Sequence, residues 1–282
     1  MKKIILKEDF DAEVQIFLDF LNNKEYPQHR NIIFSNFPEL KEKIEFHIGN
    51  EKNIIEKFLK DARENNKSKI QESVLFIRKE IEKNGAKTLE ILAKLMDYTW
   101  KPSEEDYFLV PTIFPLSPFK KNTFYFSIYK SLKGNTEYPK VLAVSAHEIS
   151  HMIFFDILKD KNIGIGQELL YFIKELIAPI LVYQNDFDNI FKKEIVGNYN
   201  VLEIYLEKDG KVIKAFDYFL EIFIKNKSEG KNFNTFLDEM ISVCKEIESD
   251  IKDKKAFDNK YGMQIMKEPE LLEKFREPIK LR

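Results

Sequence analysis

The sequence has very little cysteine: among 282 residues Cys244 is the only one. A single cysteine can form neither an intramolecular disulfide nor a thiolate metal cluster, so a reducing compartment is expected. The N-terminal apolar run, residues 4–6, is too short for the core of a signal peptide. No continuous apolar run reaches the length of a membrane span. We therefore expect a cytoplasmic protein that has no membrane partner.

An excess of charge of either sign is also missing. Lys and Arg together number 45 and Asp and Glu 47, which gives a formal net charge of −2. Such a balance produces no overall field that would attract a polyanion, so we expect no nucleic-acid partner. The hydrophobic content of 44% is enough for a substantial core in a chain of this length.

Glycine and proline are scarce, with 9 and 10 residues, and they mark the boundaries of the predicted elements. Between residues 9 and 100, apolar residues recur three and four positions apart, which predicts helices. Pro111, Pro115 and Pro118 exclude a helix from the next stretch. Residues 107–110 and 123–129 are rich in aromatic and β-branched side chains and are predicted to be strands.

Beyond residue 139 the pattern is helical again, with one helix to about residue 159 and another over residues 167–182. Asp209 and Gly210 lie between two short apolar runs and indicate a hairpin, although the first run also fits a helix. We therefore predict an α+β protein that is mainly α. It would have a helical N-terminal region (1–101), a central region (102–185) and a mainly helical C-terminal region (186–282).

The chemistry of the sequence is concentrated in the motif H-E-x-x-H, which lies in an apolar and strongly helical segment. His147 and His151 are one helical turn apart and about 40° apart around the axis, so both imidazoles can reach one tetrahedral metal. Glu148 lies beside them and can accept a proton from a metal-bound water whose pKa zinc lowers. The motif therefore predicts a zinc site in which Glu148 is the general base.

A five-residue pattern also occurs by accident in unrelated proteins. Here the accident would have to place two of only four histidines around a glutamate on a predicted apolar helix. The other two, His29 and His47, have no partner at ligand spacing and are interpreted as surface or capping residues. The pattern favours zinc.

This motif resembles that of the zincin metallopeptidases. The metzincin branch would require Gly at position 154 and His at position 157, where this sequence has Phe154 and Ile157. No histidine follows His151, so a third ligand on its C-terminal side would be a carboxylate. That arrangement is similar to the gluzincins, which use two histidines and a glutamate.

Two carboxylates on the next predicted helix are candidates for the third ligand, Glu175 and, as the alternative, Glu168. They share one helix face but are about 10 Å apart along it, so only one can bind the same metal. Glu168 falls in the first turn, where the helix dipole already favours a carboxylate. Glu175 lies among apolar residues, where it needs a cation, either a metal or a lysine from elsewhere. We predict Glu175.

The resemblance also implies a fold and further residues. Glu175 follows His151 by 24 positions, a spacing similar to that of the angiotensin-converting-enzyme and thimet-oligopeptidase type of gluzincin. Gluzincins typically stabilise the oxyanion with a downstream Tyr or His, which points here to Tyr199 and Tyr205, although packing roles also explain these tyrosines.

The expected core is a small sheet packed on the H-E-x-x-H helix and on the helix that carries the glutamate. The strand at 123–129 resembles the edge strand on which zincins align an extended peptide. Its apolar residues also fit a core strand, and both can hold if one face is buried while the edge stays open.

The sequence therefore predicts a zinc-dependent metallopeptidase that acts on a peptide or protein substrate. Two alternatives remain open. One is a non-catalytic interaction or scaffold protein with the zincin fold, and the other is a zinc hydrolase of a non-peptide amide.

Overall fold

Helices account for most of the chain, as the spacing of its apolar residues predicts. A computed structural model of the protein describes residues 2–23, 28–46, 49–101, 105–134, 140–161, 163–192 and 197–281. Two small sheets accompany the helices, which confirms the predicted α+β, mainly α class.

The chain divides into two units, one of Met1–Lys87 with Ser103–Ser145 and one of Thr88–Pro102 with Ala146–Arg282. Each unit thus combines two separated stretches of sequence, whereas the three predicted regions simply follow the order of the chain.

The helices of the first unit follow from amphipathic patterns with defined ends. They are α1 (Phe10–Leu21), α2 (Gln28–Asn36), α3 (Pro38–Phe46), α4 (Glu51–Asn65), the first part of α5 (Lys67–Leu95) and the short α6 (Tyr129–Leu132). Helix α1 begins after Asp9, whose carboxylate accepts a hydrogen bond of 2.9 Å from the backbone N–H of Ala12. This is the usual way in which a side chain satisfies a free N–H at a helix start.

Four strands form the sheet of this unit, in the order β1-β2-β4-β3. They are β1 (Ile4–Leu6), β2 (Tyr107–Thr112), β3 (Phe119–Lys120) and β4 (Thr123–Ser127). Strands β1 and β4 run parallel to β2, and β3 is antiparallel to β4. The two predicted strands are confirmed. The three-residue β1 is too short to show a period in the sequence.

The prediction that residues 123–129 form an open edge strand is wrong. Strand β4 lies between β2 and β3, and Thr123 and Phe124 pair with β3. The backbone N–H of Tyr125 donates to the carbonyl of Pro118 at 2.8 Å. The segment from Pro118 to Lys120 lies beside β4. It therefore occupies hydrogen-bonding groups that an extended peptide would need.

A buried carboxylate ties helix α1 to the sheet in the first unit. Glu13 is fully buried and forms an ion pair with Arg63, whose Nε donates to it at 2.7 Å. The same carboxylate accepts hydrogen bonds from the Thr112 hydroxyl at 2.9 Å and the Ile113 N–H at 2.7 Å. A buried charge is tolerated when a countercharge and hydrogen bonds surround it in this way.

The second unit is built around helix α8 (Gln167–Val182), which has the bounds that its sequence predicts. Helices α9, α10, α11 and α12 all contact it. Most of its residues from Leu169 to Val182 are buried, as expected of a helix that is apolar on nearly all sides. Pro179 lies within the helix, which continues to Val182.

The other helices of this unit either lead to α8 or surround it. They are the last part of α5, the part of α7 (Val141–Lys161) from Ala146 onward, α9 (Tyr199–Leu202), α10 (Ala215–Ser228), α11 (Phe233–Glu246), α12 (Glu248–Tyr261) and α13 (Pro269–Arg276). Cys244 is buried in α11.

The predicted hairpin is confirmed as β5 (Tyr205–Lys208) and β6 (Lys211–Lys214). Its two loop residues, Asp209 and Gly210, have φ values of 52° and 74°, and positive values at both positions suit a two-residue hairpin turn. Residues Tyr199–Leu202, shortly before β5, form helix α9. Strand β7 (Ile279–Lys280) adds to β5 in parallel and completes a three-stranded sheet.

Helix α7 is, in the described part of the chain, the helix whose length and composition would allow it to cross a membrane. An 18-residue stretch of this helix has a mean hydropathy of 1.4, and 83% of that stretch is buried within the protein. Core helices of soluble proteins pass the same test, so its apolar character is weak support for a span.

The Glu13 network provides a test of the first unit. We expect Glu13→Gln to destabilise the protein by about 3–5 kcal/mol, because it leaves the Arg63 guanidinium without its countercharge. Glu8 makes a matched control, since it also pairs with an arginine, Arg78, but at 4.0 Å and with both side chains more than half exposed. Glu8→Gln should cost less than about 1 kcal/mol. Thermal and urea unfolding measure both, and equal losses would contradict the structural role of Glu13.

Candidate metal centre

Helix α7 holds the H-E-x-x-H motif inside apolar surroundings. Ile149, Ile153 and Phe154 are fully buried around it. Two buried serines would be costly there, but each hydroxyl donates to a backbone carbonyl of its own helix, Ser145 to Val141 at 2.6 Å and Ser150 to His147 at 2.7 Å. The histidines therefore lie on a well-packed helix and not on a mobile surface.

The two histidine side chains converge as their spacing predicts. Their Nε2 atoms are 3.0 Å apart and their ring planes are inclined at 80°. His147 is 5% exposed and His151 2%. His47 and the side chain of His29 lie outside what the structure describes, so their predicted surface or capping roles remain predictions.

Helix α8 brings Glu175 to the same point. Its Oε2 lies 3.9 Å from Nε2 of His147, and its Oε1 lies 3.9 Å from Nε2 of His151. One donor atom from each residue lies within 4.8 Å of the other two. Among the described residues, these three form the group of His, Cys, Asp and Glu side chains that is close enough to hold a metal ion.

The separations suit zinc coordination. Ligand atoms placed tetrahedrally at 2.0–2.1 Å from Zn²⁺ would be about 3.3 Å from one another. The observed separations of 3.0 and 3.9 Å lie on either side of that value. Two imidazole nitrogens and a carboxylate oxygen are also a donor set that zinc accepts. The two 3.9 Å separations involve different oxygens of Glu175, and one donor atom from each residue lies within 4.8 Å of the other two, so the carboxylate would have to move closer for the three side chains to hold a zinc ion.

Glu175 already has a cationic partner in the protein. The ammonium of Lys174, the preceding residue, forms a short ion pair with its Oε1. Burial of Glu175 alone therefore does not require a metal, because a lysine meets the carboxylate. The indication of a metal lies in the two histidine nitrogens that face the same carboxylate.

Glu148 is held in a setting that favours a bound proton. It is 8% exposed. Burial and the nearby negative charge of Glu175 raise its pKa well above the ordinary range, and the ammonium of Lys174 opposes the shift only in part. A carboxyl group whose pKa is raised holds a proton more firmly, which suits a group that accepts a proton and later returns it.

The pKa values of His151 and Glu175, two of the proposed ligands, are lowered, in contrast to that of Glu148. Burial, Lys174 and His147 lower the pKa of His151 well below its usual value, so its imidazole is neutral at pH 7 and can bind a metal. Burial would raise the pKa of Glu175, but Lys174 and His147 outweigh it and leave that pKa below its usual value. Glu175 is therefore a carboxylate.

The structure does not bring the remaining candidates to this point. Glu168 lies in the first turn of α8, outside the group of three. Tyr199 is 73% exposed, and Tyr205 lies in β5 with its ring centroid 5.7 Å from Nζ of Lys214. The contacts described for the two tyrosines do not include the cluster. Their assignment to the oxyanion lacks structural support.

Two residues near the cluster were not anticipated as site residues. Lys174 interrupts an apolar stretch of sequence, and its side chain is only 16% exposed. Tyr171 lies one turn before Glu175, with Nζ of Lys174 5.0 Å and Nζ of Lys255 3.8 Å from its ring centroid. The Tyr171 hydroxyl accepts a hydrogen bond of 2.6 Å from Asn198. In the sequence, the spacing of four residues between Tyr171 and Glu175 indicates that both lie on the same face of the helix.

Comparison of the chain with models of protein families, with curated proteins and with solved structures gave no match. The case for a function therefore rests on the geometry and chemistry of the cluster itself.

The setting of Glu148 predicts a pH-dependent stability of the metal-free protein. Because its pKa is raised on folding, the folded state binds more protons than the unfolded state above about pH 4.5, and stability falls as the pH rises. Glu148→Gln removes this effect. After dialysis against a chelator, the variant should melt higher than the wild type at pH 8, by about 2–4 °C for each kcal/mol gained.

The difference in melting temperature should shrink toward pH 4.5. Glu168→Gln is the control, since it changes the same chemical group in the first turn of α8. If Glu148→Gln is no more stable than the wild type at high pH, its carboxyl group is better solvated than the structure indicates.

Proposed function

We propose that the protein is a zinc-dependent metallopeptidase of the gluzincin type, in which His147, His151 and Glu175 hold the metal. The observation that carries the proposal is the approach of these three donor groups to within 4.8 Å, with Glu148 adjacent in sequence and buried. Glu168 is the alternative third ligand.

Zinc in such a site would polarise a substrate carbonyl and lower the pKa of a water molecule to about 7. Glu148 accepts a proton from the attacking water and delivers it to the leaving amine. The electron pair of the new C–O bond comes from that water, and the broken C–N bond leaves its pair on the amine nitrogen. Burial of Glu148 supports this role because it raises the pKa of the carboxyl group, which therefore holds an accepted proton more firmly.

One observation favours a second candidate, a non-catalytic protein that keeps metal in an interaction or scaffold role. His147, Glu148, His151 and Glu175 are each at most 9% exposed, and a structural metal site is typically closed in this way. A hydrolase of a non-peptide amide would use the same four residues and differ only in its substrate.

The first test is metal content. The purified protein should contain about one zinc ion per chain by elemental analysis, as expected for a site with three protein ligands. His147→Ala, His151→Ala and Glu175→Gln should each weaken zinc binding by more than the roughly 10–100-fold seen when outer-shell partners are lost. Glu168→Gln should keep its zinc. Zinc retained by Glu175→Gln and lost by Glu168→Gln would transfer the third ligand to Glu168.

The second test is hydrolysis of peptides by the zinc-loaded protein. Incubation with a defined peptide mixture and mass spectrometry of the products would show cleavage. Glu148→Gln should keep zinc and lower the rate by about 10²–10⁴-fold, which is typical of removing a general acid–base group.

If the zinc-loaded wild type cleaves no peptide but hydrolyses a panel of small amides, the non-peptide alternative is favoured. If it hydrolyses neither class, the non-catalytic role is favoured. Unchanged peptide hydrolysis by Glu148→Gln would exclude the proposed mechanism.

A further inference from the structure

The ammonium of Lys174 contacts the carboxylate of the cluster. It forms an ion pair with Oε1 of Glu175, and its charge acts on Glu148 and His151 as well. Its side chain is 16% exposed, so most of it is removed from water. A lysine in this position therefore belongs to the site.

With a divalent cation bound, the charged groups described at the site would carry an excess of positive charge. Even if Glu148 is ionised, it and Glu175 supply only two negative charges, while Lys174 and a divalent cation would supply three positive ones. Lys255 adds no excess, because it pairs with Asp258 at 3.0 Å. An anionic oxygen at the metal would complete the balance in a region where unbalanced charge is costly.

Glu175 can serve both cations because it has two carboxylate oxygens, each 3.9 Å from a histidine nitrogen. Sharing the carboxylate weakens its hold on the ammonium. The Lys174 side chain is flexible and carries three N–H donors, so it can turn toward a neighbouring oxygen without a change in the helix. Because the ammonium lies beside Glu175, an oxygen bound to the same metal as Glu175 would be a neighbouring acceptor for it.

We propose that Lys174 binds the anionic oxygen of a ligand at the metal, and that in hydrolysis this is the carbonyl oxygen of the substrate as it becomes an oxyanion. This inference rests on the proposed function. As water adds to the carbonyl carbon, the π electron pair moves onto the oxygen, where the ammonium stabilises it. The pair returns when the C–N bond breaks and Glu148 protonates the amine. Lys174 thus takes the role first assigned to Tyr199 and Tyr205.

A purely positioning role for Lys174 predicts something different. If the lysine only held Glu175 in place, its loss would weaken metal binding by roughly 10–100-fold and leave anion binding to the loaded site unchanged. If it binds the anion, its loss removes a competing cation from Glu175, so metal affinity stays the same or rises while anion affinity falls. The two measurements together separate the roles.

The experiment uses the full-length protein loaded with Co²⁺, whose visible absorption reports on the metal ligands, and acetohydroxamate as an anionic probe. Lys174→Met should bind Co²⁺ at least as tightly as the wild type and bind acetohydroxamate about 10–100-fold more weakly, the loss expected for a hydrogen bond between charged groups. Lys174→Arg should stay within several-fold of the wild type.

Lys161→Met is the matched control. It removes another largely buried lysine, 22% exposed, whose ammonium forms an ion pair with Asp238. It should change neither affinity. Lys174→Gln provides a second uncharged variant should Lys174→Met not fold.

Acetohydroxamate binding that is unchanged in the uncharged variants would overturn the proposal. So would a loss of Co²⁺ affinity in those variants with normal acetohydroxamate binding once the site is saturated. A wild type that does not bind Co²⁺ at all would instead overturn the metallopeptidase proposal, and this inference with it.

Discussion

The buried carboxylate of Glu175 is the constraint on which the site depends. It lies in the middle of a helix that is mostly apolar and that α9, α10, α11 and α12 contact. A charge in such a position must be matched by positive charge, because its separation from water is costly. The ammonium of Lys174 contacts one oxygen of the carboxylate. One imidazole nitrogen lies 3.9 Å from each of its two oxygens.

If the proposed metal binds, two cations would share the carboxylate of Glu175, since the ammonium of Lys174 already contacts it. The ammonium of Lys174 balances the charge of Glu175 without a metal, and burial lowers the pKa of His151, so its neutral imidazole is available to bind one. Glu148 experiences both carboxylate repulsion and burial, which hold its proton. These effects act within a few ångströms, so a change at any one of the four groups alters the others.

The sequence was most informative where a single helix decides the outcome. The spacing of His147 and His151 fixes their convergence, and the glycines before residue 167 with the apolar run after it place α8 correctly. Glu175 could be preferred to Glu168 because only one of the two lacked a local reason for its charge. These inferences depend on helix geometry, which is nearly independent of the rest of the fold.

Features that depend on pairing between distant segments were harder to predict. Strand β1 is three residues long and forms only because β2 lies beside it, and the closure of the β4 edge requires the chain after Pro118 to turn back. The Lys174 contact was missed because adjacent residues on a helix point about 100° apart. A long flexible side chain can fold back across that angle, which spacing alone does not show.

The measurement that tests the account most directly is a crystal structure of the zinc-soaked protein, with anomalous scattering recorded on both sides of the zinc absorption edge. The account predicts one strong peak about 2.0–2.2 Å from Nε2 of His147, Nε2 of His151 and a carboxylate oxygen of Glu175. No peak among these three residues, or a peak at Glu168 instead, would contradict it.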